Sequence, residues 1–268
     1  MATIALQSAA SGLKALNTRL DVIANNLANA NTNGYKSSRA NFQDLLYVER
    51  AQPGVENSNG DQRPTGLYVG LGVKVSGTQV QFGQGSPIAS DNRLDMMIEG
   101  DGFFQVTVDQ DLGGGVAYTR AGNFTLNSQG EIVLANDQGR RLEPQISLDD
   151  DVVSVTIDRN GRVQVLRPGG TALEEVGQIQ TANFINPAGL RQIGENLFVE
   201  SAASGPAVVG EPGTESRGSI QQHMLEASNV DPTRELIELI RTQRSFELNS
   251  QSIRAADEAL QTIGQLRR

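Results

Sequence analysis

Four heptads open the chain, and few arrangements other than a paired helix can accommodate them. Leu6, Leu13, Leu20 and Leu27 occupy one heptad position, and Ala9, Leu16, Ile23 and Ala30 follow three residues behind each. A seam this strict is narrower than the stripe of a helix that lies on a globular core, although an ordinary amphipathic helix is the plainer alternative. The spacing predicts a helix over 3–30, roughly 40 Å long at the usual rise per residue. Asn33-Gly34 closes it, because both residues tolerate the left-handed backbone of a helix exit.

The other end answers in kind. Asp231-Pro232 combines a side chain that can cap free amides with a residue suited to the first helical turn. Leu239, Phe246, Ile253 and Leu260 then recur every seven residues, with Thr242, Asn249, Ala256 and Ile263 three residues on. Half of this second seam is polar, which costs stability but fixes register and partner number. No proline or glycine intervenes before Gly264, so the helix can run for about 50 Å. The two seams predict that the ends pair with each other and with neighbouring copies, forming a homopolymer.

Between the ends the period changes to two. Residues 152–157 and 162–166 flank Asp158-Arg159-Asn160-Gly161 and read as a hairpin, since Asn-Gly is a strong short-range turn signal. Residues 123–126 and 131–134 read the same way around Asn127-Ser128-Gln129-Gly130. Further strands are expected at 73–80, 96–98, 103–108, 116–120, 176–184 and 196–200, an antiparallel sandwich or barrel. Residues 50–66 are polar and punctuated by Gly and Pro, too long for a tight connection. Residues 201–219 form a second loose stretch.

Charge separates the regions further. Residues 1–36 hold three basic side chains and one acidic, and residues 226–268 hold six basic and seven acidic, so the middle carries more than the whole net charge of −9. That balance argues against a nucleic-acid partner. The absence of cysteine removes thiolate chemistry and disulfides, and a single histidine, His223, leaves no multi-histidine metal site. No catalytic residue, cofactor or metal ligand is therefore assigned, and the chain reads as a non-enzyme. No run approaches the ~20 apolar residues of a membrane span. The start lacks a basic segment and an apolar run, so no cleaved signal peptide is expected, which alone would read as cytoplasmic.

The motifs that remain have bland explanations. Gly70-x-Gly72 and Gly83-x-Gly85 lack the continuation of a nucleotide fingerprint. Gly100-Asp101-Gly102 reads as a turn into a strand, and Asp149-Asp150-Asp151 lacks calcium-loop spacing. Asp158-x-Asn160-Gly161 is half a calcium loop that the hairpin already explains. Asn123-x-Thr125, a formal glycosylation acceptor, falls in an expected strand.

Asp21-Val22-Ile23-Ala24-Asn25-Asn26-Leu27-Ala28-Asn29-Ala30-Asn31-Thr32-Asn33-Gly34-Tyr35-Lys36 closely resembles the N-terminal signature of bacterial flagellar rod and hook proteins. Glu226-Ala227-Ser228-Asn229-Val230-Asp231 and Gln243-Arg244-Ser245-Phe246-Glu247-Leu248-Asn249-Ser250 resemble the C-terminal one. Residues 100–106, 118–124 and 193–198 are similar to the family's middle region, so the likeness covers nearly the whole chain. Length, Phe42-Gln43-Asp44-Leu45-Leu46-Tyr47, the stretch 50–66 and Gly70-Leu71-Gly72-Val73 look most like the distal rod branch. A proximal rod relative of similar length and the hook branch are the alternatives.

The resemblance implies an α+β subunit with terminal coiled-coil helices forming one helical domain (1–34 with 226–268), a connecting segment (35–90) and a β-rich antiparallel outer domain (91–225). It implies a helical tube that transmits motor torque to the hook, and export without a cleaved signal through the flagellar type III apparatus to the periplasmic part of the axis. The implied partners are copies of the chain, other rod and hook proteins, surrounding ring proteins and the export apparatus. Leu6, Leu13, Leu16, Leu20, Ile23, Asn25, Asn26, Leu27, Gly34, Leu239, Phe246, Asn249, Ile253, Leu260 and Ile263 are the expected assembly residues, with Asn25, Asn26 and Asn29 facing outward toward neighbours. A secreted β-rich adhesin with helical oligomerisation ends is the rival from another class. A peptidoglycan hydrolase is a third.

Overall fold

The computed structural model describes residues 2–55, 62–149, 151–169 and 172–266, and the side chains at 2, 3, 263, 264 and 266 lie outside that description. Asp150 and part of the polar stretch, 56–61, fall outside it as well. The fold is α+β: a helix at each end and a β-rich middle. The chain divides into two compact units, one of residues 1–28, 38–79 and 231–268, the other of residues 29–37 and 80–230.

In the first unit, helix α1 spans Ala2–Ala28 and helix α2 spans Pro232–Leu266. The C-terminal helix begins as its sequence dictates. Asp231 Oδ1 accepts hydrogen bonds from the Thr233 and Arg234 amides at 3.0 and 3.3 Å, satisfying donors that the first turn leaves free. Gly264 does not stop the helix, which continues to Leu266. Within this unit the strand Ser38–Asp44 pairs with Val73–Val80, and Tyr47–Ala51 pairs antiparallel with Leu67–Gly70. The margins of the polar stretch are thus ordered strands. Only Arg50 and Ala51 of these strands fall within 50–66, and segments as short as Tyr-Val-Glu-Arg-Ala and Leu-Tyr-Val-Gly give periodicity little to act on.

The second unit is a self-contained β assembly. Its main sheet runs in the order Arg191–Gly194, Leu197–Val199, Val116–Thr119, Phe103–Thr107, Thr181–Asn183, Val208–Gly210, with Leu142–Glu143 also pairing with Phe103–Thr107. All of these pairs are antiparallel. The two expected hairpins are present. Ser154–Ile157 pairs with Arg162–Leu166, and Phe124–Leu126 pairs with Ile132–Leu134. At the first turn Gly161 takes φ +79° and its amide donates to the Asp158 carbonyl at 2.9 Å, the left-handed geometry that Asn-Gly favours. The expected strand over 176–184 is two strands, Glu174–Gln178 and Thr181–Asn183, which belong to different sheets.

Successive side chains on a strand point to opposite faces, and Phe103-Phe104 uses both. Phe104 enters a core with Met96, Ile98, Val106, Phe124 and Ile132. Phe103 enters another with Tyr118, Phe184, Leu190 and Phe198. Aromatic residues are few, yet Phe82, Phe103, Phe184, Phe198 and Tyr118 meet edge to face at centroid distances of 4.8 to 6.1 Å. That geometry aligns ring edges with ring faces and adds to the area buried.

Candidate assembly surface

The helical unit buries its seams incompletely. On α1, Ala15, Ile23 and Asn26 are buried, while Leu6, Leu13, Leu16, Leu20 and Leu27 remain part exposed. On α2 the better-covered positions include Glu235, Leu239, Thr242, Phe246, Asn249, Ile253 and Ala256, steps of three and four residues along one face. This face and α1 meet. Arg19 Nη2 donates to Glu238 Oε2 at 2.6 Å, and the Asn249 amide packs where a side chain on Gly12 would stand. Leu260 is exposed, and the side chain of Ile263 lies outside the described residues.

Along α2 lies a row of apolar side chains with nothing over it in the subunit. Leu236, Ile237, Ile240 and Leu248 are all exposed, Leu248 to 64%. None was among the expected seam residues, since the heptad count picks out the face toward α1. A second exposed apolar group comprises Tyr47, Val48, Leu67 and Tyr68 on paired strands and Leu46 just before the first of them. A run of single exposed hydrophobics needs no explanation, but clusters of this kind mark interaction surfaces.

Two expected residues have other employment. Asn26 does not face outward. It is buried, its Nδ2 donates to the Ser38 carbonyl at 2.8 Å and its Oδ1 accepts from the Ser38 amide at 2.9 Å. Its Nδ2 also reaches Glu235 Oε1 at 3.4 Å. An amide is small enough to enter a helix–strand junction, and both of its ends are used there. Gly34 is buried in the β unit, not on the helical one. It takes φ +71°, its amide donates to the Glu226 carbonyl at 2.8 Å, and a Cβ would strike the Arg120–Ala121 backbone. Asn25 is exposed and Asn29 part exposed, and both have partners within the subunit.

Burial pushes the Glu235 carboxyl above its ordinary range, and nearby Glu238 adds to the effect, while the Asn26 hydrogen bond, Arg234 and Arg19 oppose it. In the β unit, Lys36, Arg120 and Glu226 form a buried ionic cluster that periodicity could not announce. Lys36 Nζ lies 2.6 Å from Glu226 Oε1 and donates to the Gly83 carbonyl at 2.8 Å. Arg120 Nη1 stands 3.4 Å from Glu226 Oε2, and Nη2 donates to the Gly100 carbonyl at 2.7 Å. The Gly85 amide completes the coordination of Glu226 Oε1 at 2.8 Å. Burial lowers the Lys36 pKa, and the adjoining Glu226 carboxylate pulls it back. Arg120 also lies over the Phe103 ring, 5.4 Å from its centroid.

Among the described residues no group of three or more acidic or histidine side chains is placed to hold a metal, and no helix is long and apolar enough to cross a membrane. The exposed apolar surface suits association. Residues 6–36 match the profile of the flagella basal body rod protein family, 97–165 that of the flagellar hook protein FlgE/F/G D1 domain, and 221–266 that of the flagellar basal body rod FlgEFG protein C-terminal region. These three matches define a flagellar axial protein.

The chain is 45% identical to the flagellar basal-body rod protein FlgG of Caulobacter vibrioides, covering 98% of this chain and 99% of that one. It is 40% identical to FlgG of Borreliella burgdorferi over 98% of each chain, and 29% identical to the flagellar hook-basal body complex protein FlhP of Bacillus subtilis over 97% and 98%. The chain belongs to the flagellar basal-body rod protein family, and it is a structural subunit of the distal rod.

Proposed function

We propose that this subunit polymerises into a helical tube, with the terminal helices pairing as coiled coils within and between copies and the acidic β unit turned toward the periplasm and the surrounding rings. The observation that carries this reading is the exposed apolar row Leu236, Ile237, Ile240 and Leu248 on α2, in a chain whose β unit has a buried core of its own. Helical apolar surface that a subunit cannot cover itself is covered by neighbours, and head-to-tail contacts that do not close generate a filament. The expected seam residues, from Leu6 to Leu260, form the paired helices. Other rod and hook proteins join at the tube's ends. The subunit reaches the axis through the flagellar type III apparatus. Many such contacts in parallel resist twist, so the tube passes motor torque to the hook.

Electron cryotomography of the source bacterium with this gene deleted tests the reading. A rod that stops short and bears no hook is expected. A complete rod lacking only the hook would shift the subunit along the axis, and intact motile flagella would favour the adhesin. A second test is substitution of Leu20→Asp or Ile253→Asp, each expected to abolish rods while the β unit stays folded. Normal rods from both variants would refute the seam assignment.

A further inference from the structure

Two helical edges of the first unit are left over once α1 and α2 have met. The α2 row of Leu236, Ile237, Ile240 and Leu248 is exposed, and two charges set among it, Arg244 and Glu247, are exposed as well. On α1 the leucines Leu13, Leu20 and Leu27 stay part exposed, and Lys14 and Asp21, each one residue past a leucine, lie open to solvent. Among the described residues none of Lys14, Asp21, Arg244 and Glu247 enters an ion pair. Each helix thus carries an apolar edge with one cation and one anion beside it.

The contact inside the subunit supplies a direction and a register. Gly12 stands beside Asn249 and Asn26 beside Glu235, so residue numbers rise along α1 as they fall along α2, and the helices run antiparallel. Consider a second α2 laid along the leucine edge of α1 in the same sense, with Leu27 opposite Leu236. It brings Leu20 to Ile240 and Leu13 to Leu248, each within about one helical turn. The same placement brings Asp21 to Arg244 and Lys14 to Glu247, opposite charges both times. A parallel neighbour would pair Lys14 with Glu247 and Asp21 with Arg254, but it sets Ile240 against Gln7 and carries Leu236 and Ile237 to the very start of α1. Exposed ion pairs contribute little free energy, so the apolar pairs supply the affinity and the charges select direction and register. One α2 cannot turn Asn249 and Glu235 toward an α1 and lay its opposite side on the same helix. The second α2 therefore belongs to another copy.

We infer that the outer row of α2 in one copy docks antiparallel on the Leu13, Leu20 and Leu27 edge of α1 in the next, with Asp21–Arg244 and Lys14–Glu247 fixing the register. The inference rests on the polymer reading and names the faces through which copies join. Because the two faces differ, the contact is heterologous, and each copy still offers a face to a further neighbour.

The chain has no cysteine, so introduced thiols report on their own positions alone. Leu13→Cys with Leu248→Cys, and Asp21→Cys with Arg244→Cys, are made in the full chain. Basal bodies from the source bacterium are oxidised with copper phenanthroline and run on a denaturing gel. Each double variant is expected to give a ladder of covalent multimers that the single variants lack. Cross-links confined within single chains, or rods that yield no cross-link with either pair, would overturn the inference. If the cysteine variants build no rods, charge reversal decides. Arg244→Asp should lower the count of rods several-fold, and Asp21→Arg in the same chain should restore it to near normal; failure to restore it would equally overturn the docking. If the deletion strain stays motile, the rod reading falls separately, and the same cross-linking of the purified full chain decides the helix contact. A ladder then upholds it and unlinked monomers overturn it.

Discussion

The two units solve opposite problems with similar material. In the β unit Phe103, Phe104, Phe124, Val163 and Leu197 are almost wholly removed from water, and Phe103 and Phe104 enter two separate hydrophobic clusters. In the helical unit, by contrast, only Ala15 and Ile23 are buried among the described apolar side chains of the two helices, and larger side chains on α2 face solvent. A core that closes on itself secures a fold. A surface left half covered reserves its hydrophobic free energy, roughly 25 cal/mol for each Å² of apolar area, for association. The contrast separates a unit with a closed core from one that leaves apolar side chains in solvent, as the proposed polymer requires.

That contrast can be broken most severely in the β unit. Phe104→Ala removes a fully buried ring that meets Phe124 edge to face at 5.3 Å, and should cost about 3–5 kcal/mol in urea denaturation of the β unit. Glu226→Ala leaves Lys36 and Arg120 buried without their carboxylate, and a loss of about 3–5 kcal/mol by the same measurement is expected. A midpoint unchanged by either substitution would mean that the β unit is not the closed core described above.

Effects in the helical unit should be smaller. Asp231→Ala removes the cap of α2, a loss of about 1 kcal/mol, visible as faster amide exchange confined to the helix start. Glu235 sharpens the comparison through pH. Its carboxyl is raised mainly by burial, so the folded state prefers it neutral. Its contribution is most favourable at acid pH and is lost as pH rises through the ordinary and then the raised carboxylate range. Glu235→Gln should therefore leave thermal stability unchanged at acid pH and raise it slightly near neutrality. Leu248→Ala, at an exposed position, should barely move stability of the free chain, within about 0.5 kcal/mol. Its effect is expected in the yield of assembled rods.

The local rules of the chain were legible without coordinates. Asp231-Pro232 announced a capped helix, Asn160-Gly161 a hairpin, and the alternation from Ser154 to Leu166 the faces of its strands, because each of these signals is carried by neighbouring residues. Asn26 was misread for the same reason. Its place on the helix says which way it leaves the axis, but not that Ser38 waits there with a backbone amide and carbonyl. Leu236, Ile237, Ile240 and Leu248 were overlooked because a seven-residue count selects one face of a helix and is silent about a second.

From its residues alone, the chain determined two long helices, a turn-rich antiparallel middle and membership among the flagellar axial proteins, since period, capping and signature motifs are short-range properties. Tertiary structure alone decided that Lys36 lies 2.6 Å from Glu226, across a separation of 190 residues, and that Asn229 gathers Ser37, Gln81 and Gly83. Those contacts depend on how distant segments are brought together to satisfy buried polar groups. A charge or amide with no partner nearby in sequence gives no sign of the partner that burial will require it to find.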